Sequence, residues 1–185
     1  MSSATLIRFG GLAAILAGIL RLGTSFLTPW PDHPGAGLEL FCLVIDVLIL
    51  WGLLGVYAYQ YEKAGKFGFL GFILALTGTA IITGPDGMIG NVSMYVVGCL
   101  MISIGLFLLA IGSWKAGRLP RSVSVLWMVS TLVGVGGFLV NESSITFMIA
   151  GVAFSLAFIR AGVKMWQHYS HEVAEEIESD TDPRF

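Results

Sequence analysis

The chain has 185 residues, of which 56% are hydrophobic and only 12% charged, with a mean hydropathy of +0.84. A soluble domain carries charge on about a quarter of its residues, so this composition excludes a water-solvated fold and points to a chain whose solvent is lipid. The formal net charge of -2 and the lack of any Lys/Arg tract give no sign of a nucleic-acid partner, and none is expected.

In lipid, the natural unit is a helix of about 20 apolar residues. Six such runs can be cut from the chain, at about Thr5 to Leu27, Leu38 to Tyr61, Phe67 to Thr83, Val92 to Trp114, Ser122 to Val140 and Ile145 to Trp166. All six prolines fall between the runs or in the tail, so the punctuation agrees with the hydropathy. The expected fold is an all-α integral membrane protein, a six-transmembrane-helix bundle over 1–166 with an acidic tail over 167–185. The Met-Ser-Ser start lacks the Gly of a myristoylation signal. Arg21 interrupts the first run and no small-residue cleavage pattern follows it, so it reads as a retained helix.

Orientation follows from the cations. Arg8, Lys63, Lys66, Lys115, Arg118, Arg121 and Lys164 share one side of a six-span count, and the loops of the other side carry no Lys or Arg. The positive-inside rule then places both termini in the cytoplasm. The sequons at Asn91 and Asn141 fall on the opposite side, at the membrane surface, and read as chance matches. A faint repeat relates Arg8-Phe9-Gly10 to Lys66-Phe67-Gly68, as three related helical hairpins would produce, and equally as the shared needs of helices that start at a cationic interface would. Small residues (Gly10, Ala14, Ala17 and Gly18 in the first run, Gly68, Gly71, Ala75 and Gly78 in the third) recur at helical spacing. They mark faces where helices can approach closely.

Within these apolar runs stand three ionisable side chains, Arg21, Glu39 and Asp46. Such groups are costly at membrane depth and count as a functional hypothesis by default. Glu39 and Asp46 are seven residues apart, on one helical face and about 10.5 Å apart along the axis. Arg21 falls between them in depth, on a helix joined to theirs by a short loop. The expected arrangement is an Arg–carboxylate cluster near the outer face, with Arg21 contacting Asp46, Glu39 or both. One reading is an ion pair that locks the first hairpin. The other is an outward-facing pocket for a small solute, or a proton site at Asp46. The structural reading is the more economical.

Other signals are weaker. Cys42 and Cys99 lie in apolar runs without a C-x-x-C pattern and read as small hydrophobes, not a disulfide or metal site. Asp32-His33 beside Trp30 is a lone ligand pair, so interfacial anchoring by Trp30 is the reading adopted. His33, His168 and His171 all lie outside the runs, which leaves no intramembrane axial ligand. Hydrolase, zinc-protease and P-loop motifs are absent. Arg160 sits where it can snorkel to the interface, and Trp51 and Trp127 lie within runs where packing is their expected role.

The segments Gly10-Gly11-Leu12-Ala13, Gly55-Val56-Tyr57-Ala58-Tyr59-Gln60, Ala64-Gly65-Lys66-Phe67-Gly68 and Lys115-Ala116-Gly117-Arg118-Leu119-Pro120-Arg121 resemble small bacterial six-helix integral membrane proteins without an established activity. That resemblance implies a bacterial inner-membrane protein. In size and span number the chain is also similar to the substrate-capturing subunits of energy-coupling-factor vitamin transporters, an analogy of architecture with no residue motif behind it. The expectation is a non-enzymatic polytopic protein without cofactor or metal, acting as an accessory or scaffold subunit. Its partners would be the bilayer and another protein or a second copy, met through the helices. The alternative is a small-solute or ion transporter, or a solute-binding subunit, built on Arg21, Glu39 and Asp46.

Overall fold

With no water to satisfy backbone groups, an open chain in lipid must form helix, and helix dominates the structure. The structure, a computed structural model, describes residues 3–27, 35–84, 87–140 and 144–181, with side chains described as far as His168. The elements are α1 (Ser3–Thr24), α2 (Ala36–Thr83), β1 (Met88–Ile89), β2 (Val92–Ser93), α3 (Met94–Ala116), α4 (Arg121–Val140) and α5 (Ser144–Thr181). The loop around Trp30, Asp32 and His33, the Pro85-Asp86 turn, the Asn141 sequon and the last four residues lie outside the described residues.

The expected six helices are corrected to five. Among the described residues, five helices are long and apolar enough to cross a membrane. The likeness to a six-helix family is corrected with them. The discrepancy falls between Ala36 and Thr83, where a charged loop was expected around Glu62-Lys63. The chain instead stays helical through both charges and breaks only at Gly65, whose φ of 61° and ψ of -169° are non-helical. This is a backbone region that essentially only glycine occupies. The break turns α2 back on itself. Tyr57, before it, stacks on Phe72, after it, with ring centroids 4.3 Å apart and planes within 10°, whereas fifteen residues of straight helix span about 22 Å. Both arms also reach the same turn of α3, Gln60 through Ser113 and Gly68 through Gly112.

The helices close into a ring in which α1 meets α5 and the first arm of α2, the second arm meets α3, and α4 lies between α3 and α5. Glycine sets the spacing. A Cβ on Gly55 would come within 2.6 Å of Gly10 Cα, and one on Gly71 within 2.6 Å of the Gly105 carbonyl, so these backbones touch directly. Backbone contact replaces the hydrophobic drive that lipid cannot supply. The centre is solid: Trp127, Phe158, Leu53, Ile45, Leu109 and Met165 are all fully buried. Trp127 meets Phe158 edge-on at 5.8 Å, and Phe154 stacks on Phe158 at 4.6 Å. Trp51 by contrast is exposed on the outside of the bundle.

The two ends differ. At one end Arg8 lies over the Trp166 ring at 5.4 Å, Lys115 over Phe67 at 5.0 Å and Arg121 over Trp114 at 5.6 Å. Arg118 there bonds Glu62 at 2.6 Å and the Tyr59 carbonyl at 2.9 Å. The Arg8–Trp166 contact shows that the start of α1 and the late turns of α5 share this basic end. The opposite end carries the β1–β2 hairpin, which pairs Met88 with Ser93 and Ile89 with Val92 around Gly90 at φ 62°. The signal for it is the turn pair Gly90-Asn91 between Met88-Ile89 and Val92-Ser93. Beyond Trp166, α5 continues without interruption to Thr181, so the acidic segment extends the last helix.

Candidate functional site

Arg21 sits one turn before the end of α1. The turn closes on its own carbonyl: Ser25 N donates to it at 3.0 Å, Thr24 Oγ1 at 2.9 Å and Ser25 Oγ at 2.8 Å. These hydroxyls satisfy an orphan carbonyl of the helix terminus, and Ser25 then packs on Gly151 of α5. The guanidinium leaves from a half-buried position.

Depth is fixed by the antiparallel register of α1 and α2, in which Gly10 meets Gly55 and Ala14 meets Gly52. Continuing it sets Arg21 level with residues 44–45, directly beside Asp46, and leaves Glu39 nearly two turns further out. Asp46 is half-buried and Glu39 exposed. Asp46, Cys42, Tyr95 and Cys99 all fall within electrostatic reach of Arg21. Arg21 of α1, Cys42 and Asp46 of α2, and Tyr95 and Cys99 of α3 thus lie at a similar depth toward the same end.

The direct clasp is not formed. Among the described residues Arg21 makes no ion pair within 4.0 Å with Asp46 or Glu39, and the salt bridge of the structure is Arg118–Glu62 at the other end. The expectation that Arg21 contacts a carboxylate is corrected to a neighbourhood at matched depth, with Glu39 outside it. The reason is the helix spacing: glycine brings α1 and α2 together at Gly10 and Gly55, toward the basic end, and no such pair holds them at the outer end. The sequence places Tyr95 and Cys99 in the fourth run, with Cys99 read as a small hydrophobe, and no spacing links them to Arg21, because their common depth with it depends on how α3 packs on α2.

Neither cysteine is in a disulfide, and no group of three His, Cys, Asp or Glu side chains able to hold a metal occurs among the described residues. A second set of polar groups is buried in the bundle. Gln60 Nε2 donates to Ser113 Oγ at 2.8 Å, while Gln60 Oε1, Ser124 Oγ and Trp127 Nε1 have no partner among the described residues. A cleft of about 230 Å³ opens at the basic end, lined by Pro120, Ile159, Arg160, Val163, Lys164 and Gln167.

These features define a polytopic α-helical membrane protein with a filled interior and polar groups gathered at its two ends. A scan against protein-family models finds no match, and searches of curated proteins and of solved structures likewise return none.

Proposed function

We propose that the protein is non-enzymatic and serves as an accessory or scaffold subunit of a complex in a bacterial inner membrane, with its basic end and both termini in the cytoplasm. The observation that carries this reading is the solid bundle. Trp127, Phe158 and Leu109 fill the centre, and glycine-to-glycine contacts lock the helices around it. A filled bundle offers its periphery, not a lumen, for function. That periphery is a continuous apolar belt including Phe9, Leu12, Leu16 and Ile19 of α1 and Leu132, Phe138 and Leu139 of α4. The orientation rests on the cations at one end and the positive-inside rule.

Native mass spectrometry of the protein extracted in mild detergent tests this. A reproducible assembly of fixed stoichiometry, with a second protein or a second copy, is the expected result. A strictly monomeric, partner-free protein after several gentle extractions would end the proposal.

One observation favours a second reading. Arg21 and Asp46 lie level, half-buried and unpaired, with Tyr95 and Cys99 beside them, as a proton or solute site of the outer half would require. Proteoliposomes enclosing a pH-sensitive dye separate the two readings. On the site reading, Asp46→Asn and Arg21→Ala abolish proton entry while the bundle melts at an unchanged temperature. On the accessory reading, the wild-type protein conducts nothing.

A further inference from the structure

We propose that the cleft at the basic end is a binding site for the phosphate head group of an anionic phospholipid. The argument is independent of the accessory reading and starts from helix lengths. α4 has 20 residues, about 30 Å, which matches the hydrocarbon thickness of a bilayer. Its register with α5 is fixed by Ser130 Oγ donating to the Ala150 carbonyl at 2.8 Å. Extending that antiparallel register places Arg160 level with Pro120, where α4 begins. α5 runs on past this point to Thr181. A step results at the level where hydrocarbon gives way to head groups, and the cleft lies in it.

The lining suits an amphiphilic anion. Arg160, Lys164 and Gln167 follow one another at i, i+4 and i+7, so their polar tips rise along one stripe of α5 above the step. Ile159, Val163 and Pro120 form an apolar floor suited to glycerol and the first acyl carbons. Among the described residues no acidic side chain lines the cleft. The cations of this cleft also differ from those nearest it on α3 and α4. Arg118 is paired with Glu62, and Lys115 and Arg121 each lie over a ring, whereas among the described residues Arg160 and Lys164 have no such partner. The N-terminus of α4, with its positive partial charge, opens beside them. A guanidinium, an ammonium and an amide N–H donor around one cleft match the unesterified oxygens of a phosphodiester, and basic pockets between helices on the cytoplasmic side suit such head groups.

The test uses the full chain in phosphatidylcholine nanodiscs doped with phosphatidylglycerol, with retained lipid read by native mass spectrometry. The wild type is expected to hold one phosphatidylglycerol per chain against excess phosphatidylcholine, and millimolar inorganic phosphate should leave it in place. R160Q/K164Q should lower retention by about tenfold or more. K63Q/K66Q, which removes the same charge from the same end, should not. Val163→Trp fills the floor with both cations intact and should also expel the lipid, so the proposal stands or falls even if the double variant does not fold. Retention by a folded R160Q/K164Q or by Val163→Trp overturns it. Equal loss in K63Q/K66Q shows diffuse charge attraction, and displacement by inorganic phosphate shows a soluble anion; either result also overturns it.

Discussion

At the scale of single residues, the buried polar groups are the sharpest features. Gln60 has no exposed surface and makes one hydrogen bond, to Ser113, with its other amide atom unpartnered. Rotating the amide only changes which atom is left over. Ser113→Ala removes the one satisfied contact and should cost about 1–2 kcal/mol in a denaturant titration in detergent. Adding Gln60→Leu should restore part of that loss, because an apolar pair no longer holds an orphaned amide. A double variant less stable than Ser113→Ala would show that the amide is needed for more than this bond.

The Arg118–Glu62 pair divides in a similar way. Both side chains are partly exposed, at 32% and 53%, and exposed ion pairs contribute about 0.2–1 kcal/mol. Glu62→Gln should therefore be nearly silent. Arg118→Ala should cost more, since it also removes the bond to the Tyr59 carbonyl near the end of the first arm of α2. The same unfolding assay ranks the two, and equal effects would assign the whole contribution to the ion pair.

At the scale of elements, α2 turns on one residue. Gly65 has open space where a Cβ would lie, so any cost of substitution there is conformational and not steric. Its ψ of -169° lies far from the left-handed helical region that asparagine tolerates. Gly65→Ala and Gly65→Asn should both destabilise by about 1–3 kcal/mol. Gly117, the C-cap of α3, has φ 66° and ψ 7°, a left-handed conformation in which asparagine should cost far less than alanine. Melting temperatures of the four variants check this, and rescue by asparagine at Gly65 would contradict the geometry.

This turn also shows what the sequence could convey. Apolar runs and glycine faces made the helical bundle legible, because lipid leaves the backbone no alternative. The boundary at 62–66 was not legible: charges around a glycine look like a loop, and nothing in composition distinguishes a loop from a helix broken at one φ/ψ pair. The outer site was half legible for a related reason. Residue counting set Arg21 and Asp46 near the same depth, but the distance between α1 and α2 depends on where Gly10 meets Gly55. That pairing exists only in three dimensions.

At the scale of the whole molecule, the ring of helices brings the start of α1 and the late turns of α5 to one end, joined by Arg8 and Trp166. Reporter fusions test the orientation. A fluorescent protein that matures only in the cytoplasm should light up at both termini, and alkaline phosphatase fused at either terminus should stay inactive. Opposite signals at the two termini would contradict the shared end, and matched periplasmic signals would reverse the proposed orientation.

The one-residue break in α2 has a consequence for how the chain is made. Residues 36–64 and 66–83 are joined through the single non-helical residue Gly65. Tyr57 gains its stacking partner Phe72 only after the turn has emerged from the ribosome. The contact that closes the two arms is thus made late in synthesis, and it depends on the turn at Gly65. A substitution there should lower the yield of inserted protein by more than its effect on the melting temperature would indicate.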